Sequence, residues 1–353
     1  MMRFASRTDR GQLYKGGHLP RRESRVESAD WYSSYRERTG LRLRELAGSR
    51  SGGVFDLWRY HMGWTDELGR PADAEGGKML RPVLCLTACS GYGDSEAAVD
   101  IATAVELLHA FSLVHDDIED GDRQRRHRPT LWAQFGIPLA VNAGDGLFAK
   151  AGEAMYEGML RLDKAEGLLA LRLYLDACLR MIEGQHLDIE FEARPFVSLA
   201  EYVQMVRGKT GAILGAALAL GAVCGGAEMS EVTQLGEAGI ELGLAFQATD
   251  DALAFWGDPA ETGKAVGNDL TRGKKSLVVV LAGERGLPLD SLRGTALRDV
   301  LHELGRSGCR EEAERFALDH AAQARALIES AGLSAVARGR LLNLIDFAVA
   351  RAR

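Results

Sequence analysis

The chain has 353 residues, of which 46% are hydrophobic, 7% aromatic and 26% charged, with a formal net charge of −7. That length can bury one large core, and the acidic balance argues against a nucleic-acid partner, which would call for a basic excess. Five cysteines (Cys85, Cys89, Cys178, Cys224, Cys309) lie scattered in Ala- and Leu-rich segments without zinc-site spacing, a pattern of reduced, buried thiols that suits a cytoplasmic protein.

Residues 1–50 are rich in Arg, Gly and Ser and read as a flexible or partly helical N-terminal extension, with one short helix expected from about Ser28 to Gly48. Residues 51–353 read as one domain. Periodicity and punctuation by Gly, Pro and Asn/Asp predict helices over 54–62, 78–90, 94–119, 138–160, 165–190, 199–224, 230–256, 274–284, 292–306, 309–331 and 333–351. Alternating strand patterns are missing. The run Ser276–Ala282 is β-branched enough to resemble a strand, but a solitary strand leaves its backbone unpaired, so a buried helix is predicted. The expectation is an all-α fold, a single large helical bundle around a central cavity, with no membrane span.

The predicted helix over 94–119 is apolar and ends in Asp116, Asp117 and Asp120. Positions i, i+1 and i+4 fall within about 100° of arc, so the three carboxylates share one side. Their mutual repulsion is costly unless cations sit between them. Hard Mg²⁺ ions suit such oxygen ligands, above all when substrate phosphates complete the shell. The plain alternative, an acidic helix end facing water, is disfavoured because acids at a helix C-terminus oppose the macrodipole. Directly downstream come Arg123, Arg125, Arg126 and Arg128, guanidinium forks suited to phosphate oxygens.

A second apolar helix ends in Asp250 and Asp251 and runs into a Gly-rich loop with Lys264, Asp269, Lys274 and Lys275. Such a loop can fold over a phosphate, although a charged surface loop has the same composition. Lysine is scarce in this chain, 8 residues against 35 arginines, and five of the eight (Lys78, Lys209, Lys264, Lys274, Lys275) fall within these segments. Two acidic helix ends suggest two metal-binding walls around one diphosphate.

The segments Gly76-Gly77-Lys78-Met79-Leu80-Arg81-Pro82, Asp116-Asp117-Ile118-Glu119-Asp120 with Arg125 and Arg126, Gly208-Lys209-Thr210 and Phe246-Gln247 with Asp250 and Asp251 occur in the order and spacing of trans-prenyl diphosphate synthases. The chain resembles that family over about residues 54–351, and its actinobacterial geranylgeranyl/farnesyl branch in particular. The resemblance implies the isoprenoid synthase fold, a homodimer, and condensation of isopentenyl diphosphate with an allylic diphosphate. It implies Mg²⁺, three ions with substrate bound, held by Asp116, Asp117 and Asp120 on one wall and by Asp250 and Asp251 on the other. Arg125, Lys209 and Lys264 would grip the allylic diphosphate, with Thr210 and Gln247 near the reacting carbon. Lys78, Arg81, His109 and Arg126 would form the isopentenyl diphosphate pocket. Lys274 and Arg351 or Arg353 would close the site, and Gln185 and Asp188 would line it. Met79, His127 and Ala254 depart from the usual Arg, Gly and third Asp of the family pattern.

Phe111, five residues before Asp116, and its neighbour Ser112 are the expected chain-length determinants: a ring about 7.5 Å along the helix from the carboxylates would act as a floor beneath the growing tail. The expected product is geranylgeranyl diphosphate, with farnesyl diphosphate next. Two other readings remain: a class I terpene cyclase, which has no use for a second diphosphate pocket, and a non-catalytic synthase subunit, which typically loses the aspartates that are present here.

Overall fold

The structure is a computed structural model and describes residues 29–48, 50–72, 77–257, 273–287 and 297–349. In chain order its helices are α1 (Asp30–Gly48), α2 (Val54–His61), α3 (Leu80–Cys89), α4 (Val99–Glu119), α5 (Leu131–Phe135), α6 (Ile137–Met159), α7 (Lys164–Glu192), α8 (Leu199–Val206), α9 (Ala212–Cys224), α10 (Met229–Trp256), α11 (Leu277–Glu284), α12 (Leu297–Arg306), α13 (Cys309–Ser330) and α14 (Ala335–Val349). A short 3₁₀ turn, Ser95–Ala98, leads into α4, and a π turn, Arg207–Gly211, joins α8 to α9. The all-α expectation holds, and the Ser276–Ala282 segment lies in and just before buried helix α11.

The packing follows from composition. Every residue of α9 is buried, and none of them is charged, as a helix surrounded on all sides requires. It lies against α3, α7 and α10, while α4 packs on α6 and α10 on α13. A second, smaller core gathers Phe191, Tyr202, Phe255, Leu281 and Leu304 where α8, α11 and α12 meet the end of α10. Helix α8 starts on a capping box, Ser198 with Glu201, which ties its first turn.

Three sequence readings change. Helix α1, assigned to the N-terminal extension, sets Tyr32, Tyr35, Leu43 and Leu46 into the main core; residues 1–28 lie outside the described residues. Length and composition alone do not exclude a membrane span: the helical stretches Ser95–Glu119 and Leu199–Cys224 are long and apolar enough to cross one, and residues 210–227 carry no charged side chain. Most of each stretch is covered by the rest of the molecule, so packing accounts for the apolarity. Strand is not wholly missing either. Gln124–Arg125 and Arg128–Pro129 form a two-stranded antiparallel hairpin, whose tip residues Arg126 and His127 have φ of 50° and 60°. Positive φ at both central residues is what a two-residue type I′ turn needs.

Candidate active site

The acidic end of α4 meets lysines from two other elements. Lys274 Nζ lies 2.7 Å from Asp120 Oδ1, 2.9 Å from Asp188 Oδ2 and 2.8 Å from Glu192 Oε1, and Lys209 Nζ lies 2.6 Å from the same Asp188 oxygen. These carboxylates raise the pKa of Lys274, so it is a fixed ammonium. The Asp116 carboxylate accepts no hydrogen bond among the described residues; burial pushes it up to about 6, against the pull of Lys209. Asp117 points into the protein, where its Oδ1 accepts from Arg125 Nε at 2.8 Å. Gln185 donates to Glu119 at 2.6 Å, tying α7 to the same helix end.

Lys209 reaches Asp188 because two backbones touch. A Cβ added at Gly184 would fall 2.1 Å from Lys209 N, and one at Gly208 would fall 2.7 Å from Arg180 O. Glycine at both places lets the π turn lie directly on α7, one turn before Asp188. The extra residue of a π turn also re-aims the side chains it carries. Thr210 thereby donates to Gln247 Oε1 of α10 at 3.0 Å.

Helix α10 supplies the second acidic end. Asp250 stands near enough to Arg81 for their charges to interact. Asp251 is buried and its carboxylate is committed to the protein: Oδ2 accepts from Tyr202 Oη and Leu277 N, each at 2.7 Å, and Oδ1 from Gln247 Nε2 at 2.8 Å. It therefore caps the first turn of α11, three residues beyond Lys274. Among the described residues no three His, Cys, Asp or Glu side chains converge to hold an ion by themselves. The chemistry of Asp116, Asp120 and Asp250 nonetheless fits a hard divalent cation that takes further oxygens from a substrate, since all three are carboxylates and that of Asp116 accepts no hydrogen bond among the described residues.

A separate basic cluster lies behind the first wall. Loss of hydration holds Arg81 and Arg126 below the ordinary guanidinium range, although Arg126 keeps an exposed side at the hairpin tip, and the charge of Glu106 opposes that shift in both. Burial and the charges of Arg81, Arg125 and Arg126 hold His109 well below the usual imidazole range, so its ring is neutral. Lys78 sits with its Nζ 4.5 Å from the Phe347 ring centroid, and its carbonyl accepts from Tyr32 Oη at 2.6 Å. His61 and Glu106 complete this cluster, and the sequence reasoning gave neither a role. His61 is lowered to about 3 by burial and by Arg125 and Arg126. The signal for Glu106 was available: an acid nearly three turns before Asp116 in an apolar stretch of helix needs a partner.

Phe111 packs its ring against His115 at 4.7 Å and Phe148 at 5.0 Å between centroids, in the seam of α4 and α6. Ser112 donates to His109 O at 2.9 Å. Lys264, Asp269, Arg351 and Arg353 lie outside the described residues. What the rest makes is a carboxylate-and-lysine cluster beside an arginine-rich one, the two joined along α4.

Comparison with known proteins gives the family. The sequence profile of the polyprenyl synthetase family matches residues 64–301. The chain is 42% identical to a (2E,6E)-farnesyl diphosphate synthase of Mycobacterium bovis over 67% of its own length and 65% of that protein. It is 41% identical to a geranylgeranyl diphosphate synthase of Mycobacterium tuberculosis over 63% of each, so the match spans slightly less than two thirds of both relatives. The structure superposes on a polyprenyl synthetase from Streptomyces coelicolor with a TM-score of 0.82 at 37% identity, covering 90% of this chain and 98% of that one.

Proposed function

Because this chain belongs to the polyprenyl synthetase family, we propose that it is a short-chain trans-prenyl diphosphate synthase, which joins isopentenyl diphosphate to an allylic diphosphate and makes geranylgeranyl diphosphate. The observation that carries the reading is the pairing of two anion sites of different character along α4. One is the carboxylate end with Lys209 and Lys274; the other is the basic pocket of Lys78, Arg81, His109 and Arg126. A terpene cyclase needs only the first.

Asp116, Asp120 and Asp250 would hold Mg²⁺, which when bound neutralises charge on the leaving diphosphate. We assign Asp117 to fixing Arg125 and Asp251 to anchoring Gln247 and α11, in keeping with their bonds. Lys209 and Arg125, with Lys264 from the loop, would bind the allylic diphosphate, and Lys274 would close over it. Thr210 and Gln247, hydrogen-bonded to each other, would present their dipoles to the carbon that loses the C–O bond. The arginine pocket, with neutral His109, would orient isopentenyl diphosphate so that its alkene forms the new C–C bond. The proton lost in that step passes to the departing diphosphate, and the apolar face of α4 keeps water from the cation.

Chain length rests on Phe111. Its ring is braced by Phe148 and His115, which supports a floor at twenty carbons; the name of the M. bovis relative makes fifteen the competing value. We also propose a cytoplasmic homodimer. The five cysteines are free and buried, and Tyr156, Leu160, Leu175 and Leu179 leave large apolar side chains exposed on or beside α6 and α7. The test is mass spectrometry of products from dimethylallyl, geranyl and farnesyl diphosphates, each with and without isopentenyl diphosphate and Mg²⁺. The reading requires chain extension only when both are added. Hydrocarbon from an allylic diphosphate alone would make the chain a cyclase, and no product from the purified chain would favour a non-catalytic subunit.

A further inference from the structure

We propose that Arg207, Glu241 and His320 form an anchor that holds the π turn in register and thereby positions Lys209 and Thr210 on the allylic diphosphate; this rests on the prenyl-transfer reading above.

A π turn is rare and less favourable than continued α-helix, so it persists where the surroundings hold it. Helix α10 grips this one at two places. At its first residue, Arg207 sends NH1 to Glu241 Oε1 at 3.1 Å and NH2 to Glu237 Oε1 at 2.7 Å. At its fourth, Thr210 bonds Gln247 at 3.0 Å. Movement toward α7 is blocked at Gly184, and movement toward α10 is blocked where a Cβ on Gly243 would stand 2.6 Å from Gly211 Cα. The freedom left is rotation about the turn's own axis. Relaxation to α geometry would turn the residues on one side of it by about 100° against those on the other. Arg207 opposes that rotation.

Glu241 is 5% exposed, so its charge is tolerated only while both oxygens are engaged. Oε1 takes Arg207, and Oε2 meets His320 Nδ1 of α13 at 2.5 Å, with the His320 ring lying 4.3 Å from that of Phe316. A carboxylate fixed from α13 thus fixes the guanidinium that starts the turn. None of the three touches the reacting atoms in this reading; they act through Lys209 and Thr210.

The experiment compares Arg207→Gln, Glu241→Gln and Arg207→Lys in the full chain with Mg²⁺, measuring KM for each substrate, kcat and thermal stability. Arg161→Gln, which breaks an ion pair to buried Asp100 in the first turn of α4, is the stability control. The anchor predicts that Arg207→Gln and Glu241→Gln raise KM for the allylic diphosphate on the order of ten- to a hundredfold, leave KM for isopentenyl diphosphate within about twofold, and that Lys at 207 restores most of the loss. Affinity for inorganic pyrophosphate with Mg²⁺, titrated into the same proteins, should fall by the same factor and requires no turnover. Unchanged allylic KM and pyrophosphate affinity, a parallel rise in both KM values, or the same pattern in Arg161→Gln would overturn it. A wild-type chain without condensation activity would instead sink the earlier reading, and the pyrophosphate titration would still decide the anchor.

Discussion

At the tip of the Gln124–Pro129 hairpin, Arg126 and His127 occupy left-handed backbone one after the other. Arg126 has a pocket to serve, and its guanidinium lies where a Cβ on Gly77 would fall 2.5 Å away. His127 makes no such contact, and a non-glycine residue there costs about 1–2 kcal/mol. His127→Gly should therefore stabilise the fold by about 0.5–1 kcal/mol after the entropy cost of glycine, read as a higher urea midpoint; a lower midpoint would mean that the imidazole is bonded in solution. His61 gives a pH signature. Its folded pKa of about 3 lies below the ordinary imidazole value of 6.5, so the unfolded chain binds more protons between those values. Its contribution is present above 6.5 and is lost as pH falls toward 3. His61→Gln should flatten the acid limb of stability against pH, and an unaltered limb would contradict burial of a neutral ring.

At the scale of elements, the seam of α4 and α6 holds the chain-length argument. Phe111→Ala removes the ring that Phe148 and His115 brace, and products should lengthen beyond those of the parent by at least one five-carbon unit. An unchanged product ladder would move the floor elsewhere. Most helices were legible because their apolar periodicity and Gly or Pro punctuation are local properties. The same holds for the site residues that stand out against their helix, such as Asp116 and Asp120 on apolar α4. What was illegible depends on contact between distant segments. The π turn exists because α7 and α10 meet it at Gly184 and Gly243. The hairpin is only two residues a side, too short for alternation to register. Asp251 looked equivalent to Asp250 in sequence, yet three donors from α8, α10 and α11 claim its carboxylate. Helix α11 was expected from 274 and begins at Leu277, whose N–H that carboxylate accepts.

At the scale of the molecule, exposed Leu168, Leu175, Leu179, Ile182 and Ile189 recur along α7 at spacings that put them along one side of the helix. That stripe supports the proposed homodimer. Leu179→Glu should convert a dimeric sedimentation profile to a monomeric one, and a monomeric parent would dispose of the dimer.

The whole account depends on carboxylates that bind diphosphate only through a divalent cation. Calorimetric titration of inorganic pyrophosphate into the chain, with and without Mg²⁺ and with Asp116→Asn alongside, addresses this directly. A tight site that appears only with Mg²⁺ should stand out above any metal-independent binding at the arginine pocket, and should weaken by at least about tenfold in the variant, the equivalent of about 1.4 kcal/mol. Equal binding with and without the metal, or in the variant and the parent, would contradict it.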